Sequence, residues 1–200
     1  MYICVEGCIG IGKSTVATLL SREISGHLLL EDADSNPFLS DFYSNIDLFT
    51  FETELSFLLM HYHQLYKAMH ESHSLIISDY FFDREKSVFA DGNISCENEM
   101  LIFNLLYDNL RNRLILPDAI VCLSAPTDMI FERITSRNRA SEWEISRDYV
   151  DMINNQYKGF FSELRSKFFT IDINMEEYDF VKNPNLITSV SAQLKEHLKF

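Results

Sequence analysis

The sequence predicts an α/β fold, a five-stranded parallel sheet flanked by helices on both faces. Three observations carry this expectation. Five short apolar runs alternate with helical stretches along the chain, an order that one sheet accommodates through right-handed crossovers. The first of these runs, ending at Val5 and Glu6, is followed at once by Gly7-Cys-Ile-Gly-Ile-Gly-Lys13-Ser14, which fits G-x-x-x-x-G-K-[ST] in full. Finally, 200 residues without a Pro/Gly/Ser-rich linker suit one domain covering residues 1–200.

Taken in order, Tyr2 to Glu6 has the continuous apolar character of a strand buried on both faces. A helix follows, with Val16, Leu19, Leu20 and Ile24 at helical spacing and Gly26 at the expected stop. Leu28 to Glu31 is a second strand ending in acid, and Asp34-Ser-Asn-Pro-Phe38 is turn chemistry leading to a short element through Phe42 and Tyr43. Leu48 to Ala68 predicts a long apolar-rich helix, and Ser74 to Asp79 a third strand closing on a carboxylate. Glu97 to Leu114 is another long helix, striped by Met100, Phe103, Tyr107, Leu110 and Leu114. Ala119 to Ser124 is a fourth strand, and Pro126 opens the helix after it. A polar, basic stretch from Arg133 to Glu142 gives way to a helix over Trp143 to Phe161, a strand over Phe168 to Ile173 and a closing helix over Leu186 to Leu198.

Bulk composition narrows the function. The net charge of −13 argues against nucleic-acid binding and requires any phosphate site to be locally positive. No apolar run reaches membrane-spanning length, and the chain opens directly in a strand without a signal-type segment. Cys4, Cys8, Cys96 and Cys122 lack C-x-x-C spacing, so reduced thiols in a cytoplasmic protein are expected.

In open α/β sheets, ligands gather at the carboxyl ends of the strands. Gly7 to Lys13, Glu31, Asp79 and Ser124 fall at those ends. Glycines let loop N–H groups turn inward around phosphate oxygens, and the next helix aims its positive end at the same anion. Within the motif, Lys13 would reach the β- and γ-phosphates and the Ser14 hydroxyl would ligate Mg²⁺. Asp79 would hold Mg²⁺ directly or through water, unless it only caps its strand. Glu31 is placed to take a proton from an attacking hydroxyl. Arg133, Arg137 and Arg139 form the dense basic cluster of an acidic chain, either as a lid neutralising a transferred phosphoryl group or as a solvated helix end.

Beyond the loop, a wider pattern appears. Glu31 with Asp34-Ser-Asn-Pro-Phe-Leu39 and Asp41-Phe-Tyr43 forms its first block. Phe49-Thr-Phe-Glu-Thr-Glu54, Phe57-Leu58 and Tyr62-His-Gln-Leu65 form the second, and Arg133-Ile-x-x-Arg137-x-Arg139-x-x-Glu142 the third. Together they resemble the deoxynucleoside kinases, collinearly over most of residues 2–160, and most nearly the purine-preferring, bacterial-type branch. The resemblance implies a P-loop kinase fold with a lid over about 133–143, phosphorylation of a deoxyribonucleoside 5′-hydroxyl by ATP with Mg²⁺, and a homodimer. It implies that Gly7, Cys8, Ile9, Gly10, Ile11, Gly12, Lys13, Ser14 and Thr15 hold the donor phosphates, and that Arg133, Arg137 and Arg139 close over them. Glu31 matches the general base, Tyr43 and Glu142 the pair on the sugar 3′-hydroxyl, Glu54 the base-reading position, and Phe89 the aromatic that stacks on the base.

Two departures stand out. Many relatives carry Arg directly after the acid at Asp79, where this chain has Tyr80, leaving Arg84 as the candidate replacement. A second common Arg, paired with an acid near the base, is replaced by His61, with Glu85 at the acid's position. Glu54 stands where relatives often have Gln; an ionised carboxylate accepts from both N1–H and the 2-amino group of guanine, which favours deoxyguanosine. Broad or pyrimidine specificity is the alternative if Glu54 is protonated or paired elsewhere. A thymidylate-type monophosphate kinase is suggested by Asp83-Arg84, but Glu31, Glu54, Glu85 and Glu142 would repel an anionic acceptor. A non-catalytic nucleotide-binding subunit would have lost Lys13, Glu31 or the arginines, all of which are present.

Overall fold

The computed structural model describes residues 1–71 and 73–199. Its centre is a five-stranded sheet of order β2-β3-β1-β4-β5, with β1 at Tyr2–Glu6, β2 at His27–Leu29, β3 at Ile76–Ser78, β4 at Ala119–Ser124 and β5 at Thr170–Asn174. Every pairing is parallel: Ile3 lies opposite Ile77 on one side and Ala119 on the other. All five residues of β1 are buried, so both faces of the sheet are covered.

Helix α1, Lys13–Ile24, packs on β1, β2 and β3 beside the closing helix α8, Ile187–Leu198. Short α2, Leu39–Ser44, leads into the 25-residue α3, Ile46–His70, which packs against α5, Glu97–Arg111. Helix α6, Thr127–Arg137, packs against α7, Arg147–Lys167. Among the described residues, no helix is long and apolar enough to cross a membrane.

Several boundaries differ from the sequence expectation, for local reasons. Strand β2 stops before Glu31 because the Glu31 N–H donates to the Asp79 carboxylate (2.7 Å) rather than continuing the ladder. The left-handed residue ending α1 is Ser25, φ 56°, and not Gly26. Gly26 serves packing instead, since a Cβ there would stand 2.6 Å from Ile77 Cδ1. The helix expected from Trp143 begins at Arg147, because Ser146 caps it by accepting from the Tyr149 N–H (3.1 Å). Residues 82–93, without a predicted element, form a π-helical segment, Glu85–Ala90, followed by one turn, α4, Asp91–Asn93. A six-residue π-helical segment is too short to show an apolar stripe in the sequence.

Candidate active site

The phosphate loop runs from β1 into α1, with Gly10 and Gly12 at φ 79° and 113°, where a side chain would be strained. Arg133 on α6 braces the loop by donating to the Ile11 carbonyl (2.6 Å). The Lys13 ammonium donates to the Gly7 and Cys8 carbonyls (2.8 and 3.1 Å). Burial, and then the nearby Arg84 guanidinium, lower its pKa. Burial pushes the Cys8 thiol up to about 12, so the one sulfur in the loop is no nucleophile. Glu6 was not foreseen as functional. Its buried carboxylate accepts from the N–H groups of Gly7 and Phe81 and from the Tyr157 hydroxyl, tying the loop to the segment after β3.

A single cleft of about 620 Å³ gathers the phosphate loop and almost every predicted site residue; His61 does not line it but contacts Glu31 and Glu85, which do. Its volume falls in the usual range for small-ligand sites, roughly 300–1,000 Å³. On its floor, Ser14 donates to Asp79 (2.6 Å), whose other oxygen holds the Glu31 N–H. Arg84 arrives from the π-helical segment, fully buried, and reaches Glu31 (2.8 Å) and Glu85 (2.9 Å). It lies over the ring of Tyr80, which itself stacks on His61. His61 bonds Glu85 through Nδ1 (2.9 Å) and faces Glu31 with Nε2 at 3.5 Å.

The four groups settle one another's charge. Burial opposes ionisation of Glu31, but Arg84 and then His61 outweigh it and hold the carboxyl well below its ordinary range. Glu85 is likewise lowered against burial by His61 and Arg84. Burial would lower His61, yet Glu85 and Glu31 raise it to about 9, so it is a cation at neutral pH. The floor therefore balances two carboxylates with two cations and leaves neither cation free.

At the far end of the cleft, Glu54 is 2% exposed and touches neither His61 nor Arg84; its hydrogen bond comes from Asn93 Nδ2 (2.7 Å), which also donates to the Tyr149 hydroxyl (3.2 Å). Burial raises the Glu54 pKa to about 8, with nearby Glu85 adding to the rise. This corrects the expectation of an ionised base reader: at neutral pH Glu54 is mostly a neutral acid. Phe89 lines the same end, with Phe57, Thr53 and Tyr149 beside it. Phe57 was visible in the sequence as the residue one helical turn after Glu54. Asn93 and Tyr149 carried no sequence signal, because their place depends on how α4 and α7 meet.

The basic cluster splits in two. Arg137 grips Glu142 through both nitrogens, Nε at 2.8 Å. Arg139 sits 3.7 Å from Glu142 and 3.6 Å from Asp34. Asn138, φ 50°, ends α6, and Ala140–Glu142 forms a 3₁₀ turn over the cleft. Tyr43 lies beneath it; burial and the neighbouring Glu142 raise its hydroxyl pKa further. The Asp83-Arg84 pair does not act as one. Asp83 faces away to Arg111 while Arg84 enters the cleft.

A phosphate loop, an acid at the end of the next strand over and an arginine cluster above them define a P-loop phosphotransferase. The chain belongs to the deoxynucleoside kinase family, whose model matches residues 3–199. It is 29% identical to the deoxyguanosine kinase of Bacillus subtilis (strain 168), over 98% of this chain and 96% of that one. The deoxyadenosine kinase of Dictyostelium discoideum is 26% identical over the whole chain and 81% of its own length. Among solved structures, deoxyadenosine kinase from M. mycoides with dCMP and a flexible dCDP bound superposes with a TM-score of 0.85, at 22% identity, over 98% of this chain and all of that one. The enzyme is thus a transferase with the P-loop kinase fold, acting on deoxynucleosides.

Proposed function

We propose that the enzyme transfers the γ-phosphoryl group of ATP to the 5′-hydroxyl of a purine deoxyribonucleoside, with deoxyguanosine favoured. The observation that carries a neutral acceptor is the commitment of Arg84 and His61 to Glu31 and Glu85. A phosphate monoester beside Glu31 would meet Glu31 and Glu85 with their cations already committed, while Lys13 and Arg133 stand at the donor loop instead.

Ser14 and Asp79 are adjacent hard-oxygen donors lining the cleft beside the loop, a set that suits Mg²⁺. Held by Ser14 and Asp79, the ion would supply positive charge to offset that of the donor phosphates. Glu31, ionised and pinned by Arg84, orients the 5′-hydroxyl. As O5′ bonds to phosphorus and the bond to the β-phosphate oxygen breaks, the hydroxyl proton passes to Glu31. A weakly basic carboxylate suffices, because a loose transition state needs little nucleophile activation early on. Lys13 and Arg133 stand by the loop, and Arg137 and Arg139 join them by leaving Glu142. Glu142 is then free, with Tyr43, for the sugar 3′-hydroxyl.

At the base, Asn93 donates to Glu54 Oε1, so the proton of the neutral acid sits on Oε2. In that form Glu54 pairs an acceptor and a donor with adenine (N6–H and N1) or guanine (N1–H and O6). Ionised, it accepts from two adjacent donors, which only guanine offers. The likeness to purine kinases of other organisms supports the purine reading. Competition between deoxyguanosine and deoxyadenosine, with ATP and Mg²⁺ from about pH 6.5 to about pH 9, tests it. The guanosine:adenosine ratio of kcat/KM should rise with pH; a higher rate with thymidine or deoxycytidine would overturn the proposal.

A homodimer is part of the same proposal. Helix α5 turns Leu101 and Leu105, each 66% exposed, and Ile102 to solvent, beside Leu59 and Tyr66 of α3. Light scattering that returned the mass of one 23.3 kDa chain would refute it. A cytoplasmic setting fits the four free thiols, three of them buried.

A further inference from the structure

At the end of the sheet opposite the phosphate loop, two histidines and a glutamate converge. His27 opens the edge strand β2, its N–H anchored on the Leu75 carbonyl (2.8 Å). His73 lies in the link from α3 to β3 and stacks on His27 with ring centroids 3.6 Å apart and planes 12° from parallel. Glu71, just past the end of α3, holds an oxygen 2.9 Å from His73 Nε2. One ligand atom from each residue lies within 4.8 Å of the other two.

We propose that His27, Glu71 and His73 form a binding site for a divalent cation of the Zn²⁺ class. Two imidazoles and one carboxylate suit Zn²⁺ and reject Mg²⁺, which demands oxygen ligands. Bond lengths of about 2.0–2.2 Å put tetrahedral ligands roughly 3.3–3.6 Å apart, so His27 needs to close by up to about 1.5 Å while the His73–Glu71 pair opens slightly. Both histidines are only half-buried and Glu71 is exposed, which leaves their side chains free to make that adjustment. The His73 Nε2–Glu71 contact is near the spacing that two ligands of one ion adopt. Binding there replaces any Nε2 proton of His73 by the metal and releases it to solvent. Lys67, 3.9 Å from Glu71, is the competing cation; it is exposed and able to swing away. An ion at this point clips the edge strand to the end of α3, and β2 leads directly to Glu31.

The test is a Zn²⁺ titration of the chelator-treated full chain in excess Mg²⁺, read by calorimetry, by the melting temperature and by the visible spectrum with Co²⁺ in place of Zn²⁺. One equivalent should bind, raise the melting temperature and give a tetrahedral Co²⁺ spectrum. His27→Gln and His73→Gln should each weaken Zn²⁺ binding by about tenfold or more and abolish the melting shift, while kinase activity with Mg²⁺ and without Zn²⁺, which reports folding, stays unchanged. Wild type that fails to bind Zn²⁺ below millimolar concentration would overturn the proposal. So would variants that bind as tightly as wild type, since the ion would then sit elsewhere.

Discussion

Replacing Glu54 by Gln separates the two protonation states on which base reading turns. The amide keeps the shape, accepts from Asn93 through its oxygen and presents its N–H₂ where the acid presents O–H. What it lacks is titration. Below about pH 4.5 both native and unfolded wild type carry the Glu54 proton, and stability is unaffected by this group. Between there and the native value of about 8, the unfolded chain releases the proton while the native chain retains it, so stability falls as pH rises. Each pH step in that window costs about 1.4 kcal/mol, and the whole displacement corresponds to roughly 4–5 kcal/mol, an order-of-magnitude figure for a group this buried. Urea unfolding of both proteins at one chain concentration, from about pH 5 to about pH 9, reads this directly. The stability difference should move steadily in favour of Glu54→Gln as pH rises, because every other titrating group is common to both. Parallel stability curves would show that Glu54 is ionised in the native state and refute the reasoning. The same variant should also lose the pH dependence of the guanosine:adenosine ratio.

Three further outcomes follow from the site. Glu31→Gln should lower kcat by roughly 10²–10⁴ with a much smaller change in nucleoside binding, measured by single-turnover kinetics and equilibrium titration; near wild-type turnover would remove Glu31 from proton transfer. Arg139→Ala should reduce kcat far more than nucleoside affinity, since its contacts with Glu142 and Asp34 are long and its proposed work lies with the donor phosphates; unchanged turnover would make it a surface charge. Trp143, the only tryptophan, is 70% exposed and bonded through Nε1 to Asn138 Oδ1 at the end of α6 (2.9 Å). Its fluorescence should change on adding ATP with Mg²⁺ and not on adding deoxynucleoside alone, and a donor-insensitive signal would mean that residues 138–143 do not move.

The phosphate loop was legible because its chemistry is local. Glycines, lysine and serine at fixed offsets after a strand dictate backbone direction and helix start within a dozen residues, and alternating apolar runs dictate a parallel sheet in the same way. Strand-end acids such as Asp79 and Glu31 were legible for the same reason. The resemblance to kinases placed Tyr43, Glu142 and the lid arginines, and the fold brings them to one cleft. Boundaries went astray wherever a side chain from elsewhere took over a backbone group, as Asp79 does at Glu31 and Ser146 does at Tyr149. The π-helical segment was invisible because six residues are too few to show an apolar stripe.

Charge states lay further still beyond the sequence. That Arg84 is buried against Glu31 and Glu85, that His61 is a cation between two glutamates and that Glu54 keeps its proton are consequences of distance and desolvation. Coulomb energies fall with separation and rise as water is excluded. Both depend on how α3, the π-helical segment and the strand ends pack together, a matter that only the tertiary structure decides.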